Sequence, residues 1–170
     1  GNSGGFSGTF DGNGYIIRNL TYTTTAATNY VGLFGDISDA TIQNIGLENV
    51  NISTAGNYVG GLAGRCLSFN GQAKIINCYT TGQVKGTGAG LTPGGFIGGL
   101  TGRNNGGFIS NCHSTCQVSG KSSSVGGLAG CNNGTINASF STGAVNGTGS
   151  VGGLVGSNGY SMNRGVITGC

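Results

Sequence analysis

One phrase occurs five times along the chain: Val31-Gly32-Leu33-Phe34-Gly35, Val59-Gly60-Gly61-Leu62-Ala63-Gly64, Ile97-Gly98-Gly99-Leu100-Thr101-Gly102, Val125-Gly126-Gly127-Leu128-Ala129-Gly130 and Val151-Gly152-Gly153-Leu154-Val155-Gly156. Its starts are 28, 38, 28 and 26 residues apart. A motif recurring at a nearly constant period marks stacked supersecondary units, none of which can bury its apolar side alone. The repeat therefore dictates the architecture, and function has to be sought in columns of equivalent residues.

A second phrase interleaves with the first: Ile17-Arg18-Asn19-Leu20, Ile42-Gln43-Asn44-Ile45, Ile75-Ile76-Asn77-Cys78, Ile109-Ser110-Asn111-Cys112, Ile136-Asn137-Ala138-Ser139 and Ile167-Thr168-Gly169-Cys170. In three copies a valine (Val84, Val118, Val145) stands nine residues after the leading Ile and a glycine (Gly86, Gly120, Gly147) eleven after it. Constant offsets inside the unit and variable spacing outside place the length differences in loops such as 87–94. Charged residues are only 6% of the chain, helix-forming blocks are missing, and the 39 glycines fall at repeat positions between Val, Ile and Leu. These features predict an all-β chain, a single β-solenoid domain over 1–170. Its form is a parallel β-helix of about six turns with little or no helix, three short strands to a turn. Parallel crossovers are right-handed, so the coil is expected to be right-handed.

The aligned phrases define columns. Ile17, Ile42, Ile75, Ile109, Ile136 and Ile167 form one expected core column, and Leu20, Ile45, Cys78, Cys112, Ser139 and Cys170 a second. Between them runs a row of asparagines, Asn19, Asn44, Asn77 and Asn111, suited to a bend and to amide links between turns, and broken by Ala138 and Gly169. The sole histidine, His113, shares an aromatic slot with Tyr79 and Phe140, which reads as a stacked structural ring. Tyr30, Tyr58 and Phe96 precede the glycine phrase. Facing outward, they offer a speculative platform for sugar rings, although stacking between turns gives the same pattern. Thr80-Thr81, Ser114-Thr115 and Ser141-Thr142 form a hydroxyl strip of the kind seen on ice-binding solenoids, but over three turns only.

Catalytic chemistry has little to work with. The acidic residues are Asp11, Asp36, Asp39 and Glu48, all in the first third. Polysaccharide-cleaving β-helices need carboxylates on neighbouring turns, whereas Asp36 and Asp39 read as solvated residues of a connection. Asp11-Gly12-Asn13-Gly14 reads as a tight turn rather than a calcium loop. No catalytic residue, metal or cofactor is expected. The cysteines lack Cys-x-x-Cys spacing; Cys78 and Cys112 stack within reach of a disulfide, Cys66 and Cys131 fall in loops, and mainly reduced, buried thiols are expected. The net charge of +3 comes without a basic run, which disfavours nucleic acid, and no stretch approaches the ~20 apolar residues of a membrane span.

Val-Gly-Gly-Leu-Ala-Gly followed by Ile-x-Asn-Cys and Thr-Gly-x-Val, opened by Phe6-Ser7-Gly8-Thr9-Phe10-Asp11-Gly12-Asn13-Gly14, resembles the GLUG repeat family. The resemblance implies β-helical regions of secreted bacterial surface proteins, including adhesins and non-catalytic parts of large extracellular proteases. It transfers no catalytic residue. The sequence thus reads as an extracellular or cell-surface structural or adhesive solenoid, a stalk segment of a longer protein or a filament subunit. The alternative is a carbohydrate-binding adhesin module, with a polysaccharide-active enzyme and an ice-binding solenoid behind it. Partners expected are neighbouring repeats, environmental or host glycans, or a second copy stacked axially, residues 6–20 of one against 156–170 of the next.

Overall fold

The computed structural model describes residues 4–88, 95–160 and 164–170, so most of the expected 87–94 loop lies outside the described residues. The described backbone contains strands, turns and bends and no helix. Each strand pairs in parallel with its counterpart one turn away, which makes a β-solenoid. Four faces are visited in fixed order. The first carries Phe34–Ser38, Ala63–Leu67, Thr101–Asn105, Ala129–Asn132 and Val155–Asn158. The second carries Thr9–Asp11, Thr41–Gln43, Lys74–Ile76, Phe108–Ser110, Thr135–Asn137 and Val166–Thr168. The third is built on Gly46–Thr54 and Tyr79–Gly86, and the fourth on Phe96–Gly98, Ser124–Gly126 and Ser150–Gly152, extended by bridges linking Val31, Val59 and Ile97. The result is about five turns, with a sixth strand on the second face alone.

The expected three strands per turn become four because the glycine phrase makes two of them. Its leading Val or Ile pairs on the fourth face and its Ala, Thr or Val on the first, with a glycine corner between. That corner leaves no room for a side chain: a Cβ on Gly98 would strike the Thr101 carbonyl oxygen and approach the Gly130 amide nitrogen to 2.7 Å. Glycine is required here by the close passage of successive turns rather than by an unusual φ.

Ile42, Ile75, Ile109 and Ile136 stack one on the next and are fully buried, as are Leu62, Leu100 and Leu128. Cys78, Cys112 and Ser139 fill the second column beside them. The head of the Ile column is Phe10, which pairs with Ile42, and not Ile17, which pairs with Leu47 on the third face. Asn19 is displaced with it. Its side-chain oxygen accepts from Asn49 Nδ2 at 2.8 Å, a row separate from that of Asn44. Apolar residue followed by asparagine is written at two corners of the coil, and sequence spacing does not tell them apart.

The remaining asparagine row is a row of left-handed backbone. Asn44, Asn77 and Asn111 have φ of 55°, 53° and 53°, continued by Ala138 at 44° and Gly169 at 63°. Asparagine tolerates this region through its short polar side chain, and glycine has no Cβ to clash, but alanine has neither advantage. Asn77 Nδ2 also donates to Asn44 Oδ1 at 3.0 Å. Replacing Ala138 by Asn or Gly is therefore expected to stabilise the fold by about 1 kcal/mol, read as a raised urea midpoint. An unchanged or lowered midpoint for both variants would refute the strain at this corner.

Candidate functional site

Tyr30 and Tyr58 are the last residues before the glycine phrase, and both have positive φ, 58° and 59°. Their rings stack at 4.9 Å and 9°, Tyr58 meets Phe96 at 5.7 Å, and Phe96 meets the edge of Tyr160 at 5.3 Å. Tyr30 and Tyr58 are half-buried, whereas Phe96 is completely covered although it stands apart from the inner core cluster. The three sequence-predicted aromatics thus come together in one column. Tyr160, which the repeat pattern did not single out, closes it.

A second column runs beside the rings on the first face: Asp36, Arg65, Arg103 and Cys131 in successive turns. Arg65 lies over the Tyr30 ring at 4.6 Å and donates from Nε to Asp36 Oδ1 at 2.9 Å and from Nη2 to Oδ2 at 2.5 Å. That bidentate bond raises the Arg65 pKa above its ordinary value. Arg103 differs. Its guanidinium sits 5.3 Å from the Phe96 centroid and 5.6 Å from that of Tyr160, and its buried Nε has no hydrogen-bond partner.

The carboxylates are engaged by neighbouring turns. Asp11 accepts from the Asn13 amide, Gln43 Nε2 and Asn44 Nδ2, which lowers its pKa, the Asn13 bond contributing most. The turn expected at this position is thereby made. Asp36 lies in a strand and pairs with Arg65, and Asp39 accepts from Ser68 Oγ and from the amides of Phe69 and Asn70. Neither is the solvated loop carboxylate read from the sequence. Glu48 accepts from Arg18 Nε and from Tyr79 Oη, each at 3.0 Å. Among the described residues no three His, Cys, Asp or Glu side chains converge as a metal site.

His113 is sandwiched between Tyr79, at 5.0 Å and 4°, and Phe140, at 4.8 Å and 1°. Thr80 and Ser114 are fully buried, so the hydroxyl strip divides into inward residues and the outward Thr81, Thr115 and Thr142. All six thiols are free, and every one but Cys170 is buried. Cys66 and Cys131 lie in strands of the first face, not in loops, and burial pushes their thiols up to about 12 and about 11. The polar feature missed from the sequence is an amide ladder, buried at Asn104 and Asn132 and exposed at Asn158. Asn104 Nδ2 donates to Asn132 Oδ1 at 2.8 Å, and Asn132 Nδ2 to Asn158 Oδ1 at 2.9 Å. A signal existed, since all three asparagines stand seven residues after the start of their glycine phrase.

No known family model matches the chain. Over 82 residues it is 40% identical to halomucin of Haloquadratum walsbyi, a match that spans 48% of this chain and 1% of that protein. It superposes on the crystal structure of a putative immunoglobulin A1 protease from Bacteroides ovatus with a TM-score of 0.70 and 27% identity. That alignment covers 95% of this chain and 58% of the other. The chain therefore spans a very small part of the first protein and just over half of the second.

Two outcomes follow from this geometry. Asn132→Ala takes the Oδ1 acceptor from buried Asn104 Nδ2 and from the Gly134 amide, which meet it at 2.8 and 3.2 Å, and should cost about 3 kcal/mol in chemical denaturation. A cost below about 1 kcal/mol would show the ladder to be dispensable. Burial lowers the His113 pKa beneath its ordinary 6.5. Below 6.5 the unfolded chain therefore takes up a proton that the folded ring resists, so stability decreases as the pH is lowered, until the folded ring titrates as well. His113→Phe should flatten that part of the melting profile while retaining the stack; an unchanged slope between pH 7 and 5 would refute it.

Proposed function

We propose that the chain is a non-catalytic structural segment of an extracellular surface protein, a stretch of solenoid stalk or filament that spaces and presents other parts. The observation that carries this reading is the use made of the carboxylates. All four acidic residues of the chain accept hydrogen bonds from partners about thirty residues away, one turn along the coil. A general acid or a nucleophilic carboxylate needs an oxygen directed at substrate, whereas these hold turns together. Similarity to halomucin supports placement outside the cell. The Bacteroides ovatus protein bears the name of a protease, and the reading assigns the shared solenoid to scaffold rather than to chemistry. In the last turn Val151 and Ile167 are exposed while their counterparts Val125 and Ile136 are buried. Further turns, of the same chain or of a second copy, would cover them, which makes axial stacking the association this reading favours.

The test is incubation of the purified chain with a panel of polysaccharides and with immunoglobulin A1, alongside Asp36→Asn and Asp39→Ala. No cleavage is expected. Both variants should lower the melting temperature, by about 4 °C or more, because they remove inter-turn bonds. Reproducible hydrolysis by the parent chain, abolished in either variant with the fold retained, would overturn the proposal.

A further inference from the structure

We propose that Arg103 and the rings flanking it form a recognition site for the carboxylate of an acidic sugar, such as a uronic acid residue of a glycan. The inference goes beyond the stalk reading, rests on its placement at a surface, and adds a ligand class. It starts from the column Asp36, Arg65, Arg103, Cys131, which holds two guanidiniums and one carboxylate. Asp36 is bound bidentately by Arg65, and the position on the other side of Arg103 is held by a thiol. Among the described residues Arg103 has no ion pair, and its Nε is buried without an acceptor. A guanidinium nitrogen taken from water without an acceptor is costly, and the two rings offset only part of that cost.

The surroundings narrow what can complete the site. With Nε covered, the guanidinium offers its Nη edge, a flat fork whose geometry matches the two oxygens of a carboxylate. Phe96 and Tyr160 flank that fork, and Tyr160 is fixed in turn through its carbonyl oxygen, which accepts from Asn133 Nδ2 at 2.9 Å. Tyr160 keeps 37% of its surface exposed, apolar area beside the cation against which a sugar ring can lie. A neutral sugar meets no acceptor need of Arg103, so the site is expected to select charge as well as ring. An acidic peptide would also bring carboxylates, but the aromatic flank beside a single fork favours one carboxylate attached to a ring.

The experiment is NMR and calorimetric titration of the chain with oligogalacturonate, with its methyl-esterified neutral counterpart, with a polyglutamate peptide and with sodium acetate. The parent chain, Arg103→Gln and Arg103→Lys are compared at matched ionic strength. Saturable binding of oligogalacturonate with shifts at Arg103 and Tyr160 is expected, with little response to the ester. Affinity should drop at least about tenfold in Arg103→Gln, and substantially in Arg103→Lys, which keeps the charge but not the fork. Unchanged melting temperatures in the variants separate lost recognition from lost fold. Equal binding of acid and ester, preference for polyglutamate, a response to acetate equal to that of the oligosaccharide, or full affinity in Arg103→Lys would overturn the site. Glycan binding that persists in Arg103→Gln would overturn this site while leaving the surface-protein reading standing.

Discussion

Parallel hydrogen bonding between successive turns, held in one register, is the constraint from which the other features of this molecule descend. It sets a spacing of about 4.8 Å between equivalent residues and makes every position of the repeat a column. Inside, that spacing suits branched aliphatic side chains, and Ile42, Ile75, Ile109 and Ile136 fill it without exposure. Outside, it coincides with the contact distance of aromatic rings. Tyr30 with Tyr58, Tyr79 with His113 and His113 with Phe140 are separated by 4.9, 5.0 and 4.8 Å at angles of 9° or less. Rings stacked in this way cover one another's faces. Stacking of a sugar is therefore disfavoured within the column; at its irregular end Phe96 is fully covered and Tyr160 keeps exposed surface.

The same register explains what could be read from the chain without a structure. The five starts of the glycine phrase, Val31, Val59, Ile97, Val125 and Val151, lie in one column, and Val84, Val118 and Val145 in another. Constant offsets survive because pairing forbids a slip. What misled was local grammar common to two places. Ile17-Arg18-Asn19 matches Ile42-Gln43-Asn44 because both corners need an inward aliphatic followed by a left-handed residue, and Asn19 and Asn44 have nearly the same φ, 61° and 55°. Only the partner strand distinguishes them. The fourth strand of each turn was hidden for a related reason: Gly-Gly-Leu looks like one element when it is the bend between two.

Of the candidate site, the aromatic members were legible and the arginines were not. Tyr30, Tyr58 and Phe96 share a repeat position, but Arg65 and Arg103 recur only once and lie among residues that vary from turn to turn. Their meaning depends on whether the adjacent turn supplies a carboxylate, a property of the column and not of the local sequence. The buried asparagines show a different loss. Asn104 and Asn132 are wholly buried, against the usual habit of their residue type, and a composition rich in asparagine conceals their difference in environment from most of the others.

The two ways of joining turns divide the solenoid along its length. Early turns are linked by charge-assisted bonds, Asp11 with Asn44, Asp36 with Arg65 and Glu48 with Arg18. Later turns, which lack acidic residues, are linked by the neutral amides of Asn104, Asn132 and Asn158. A carboxylate whose folded pKa is depressed, as that of Asp11 is below 3.8, contributes stability above that value and loses it as the pH falls through the folded pKa. Amide ladders carry no such dependence. In a coil whose turns contact only their neighbours, stability is close to a sum of local terms, so acid removes the Asp11 contribution from the first turn, while in the later turns the pH dependence sits on the His113 ring and not on the links between turns. Neutral linkage leaves no anion in the later turns to satisfy a guanidinium. The use of amides in place of carboxylates that frees those links from acid is also what leaves Arg103 without a partner.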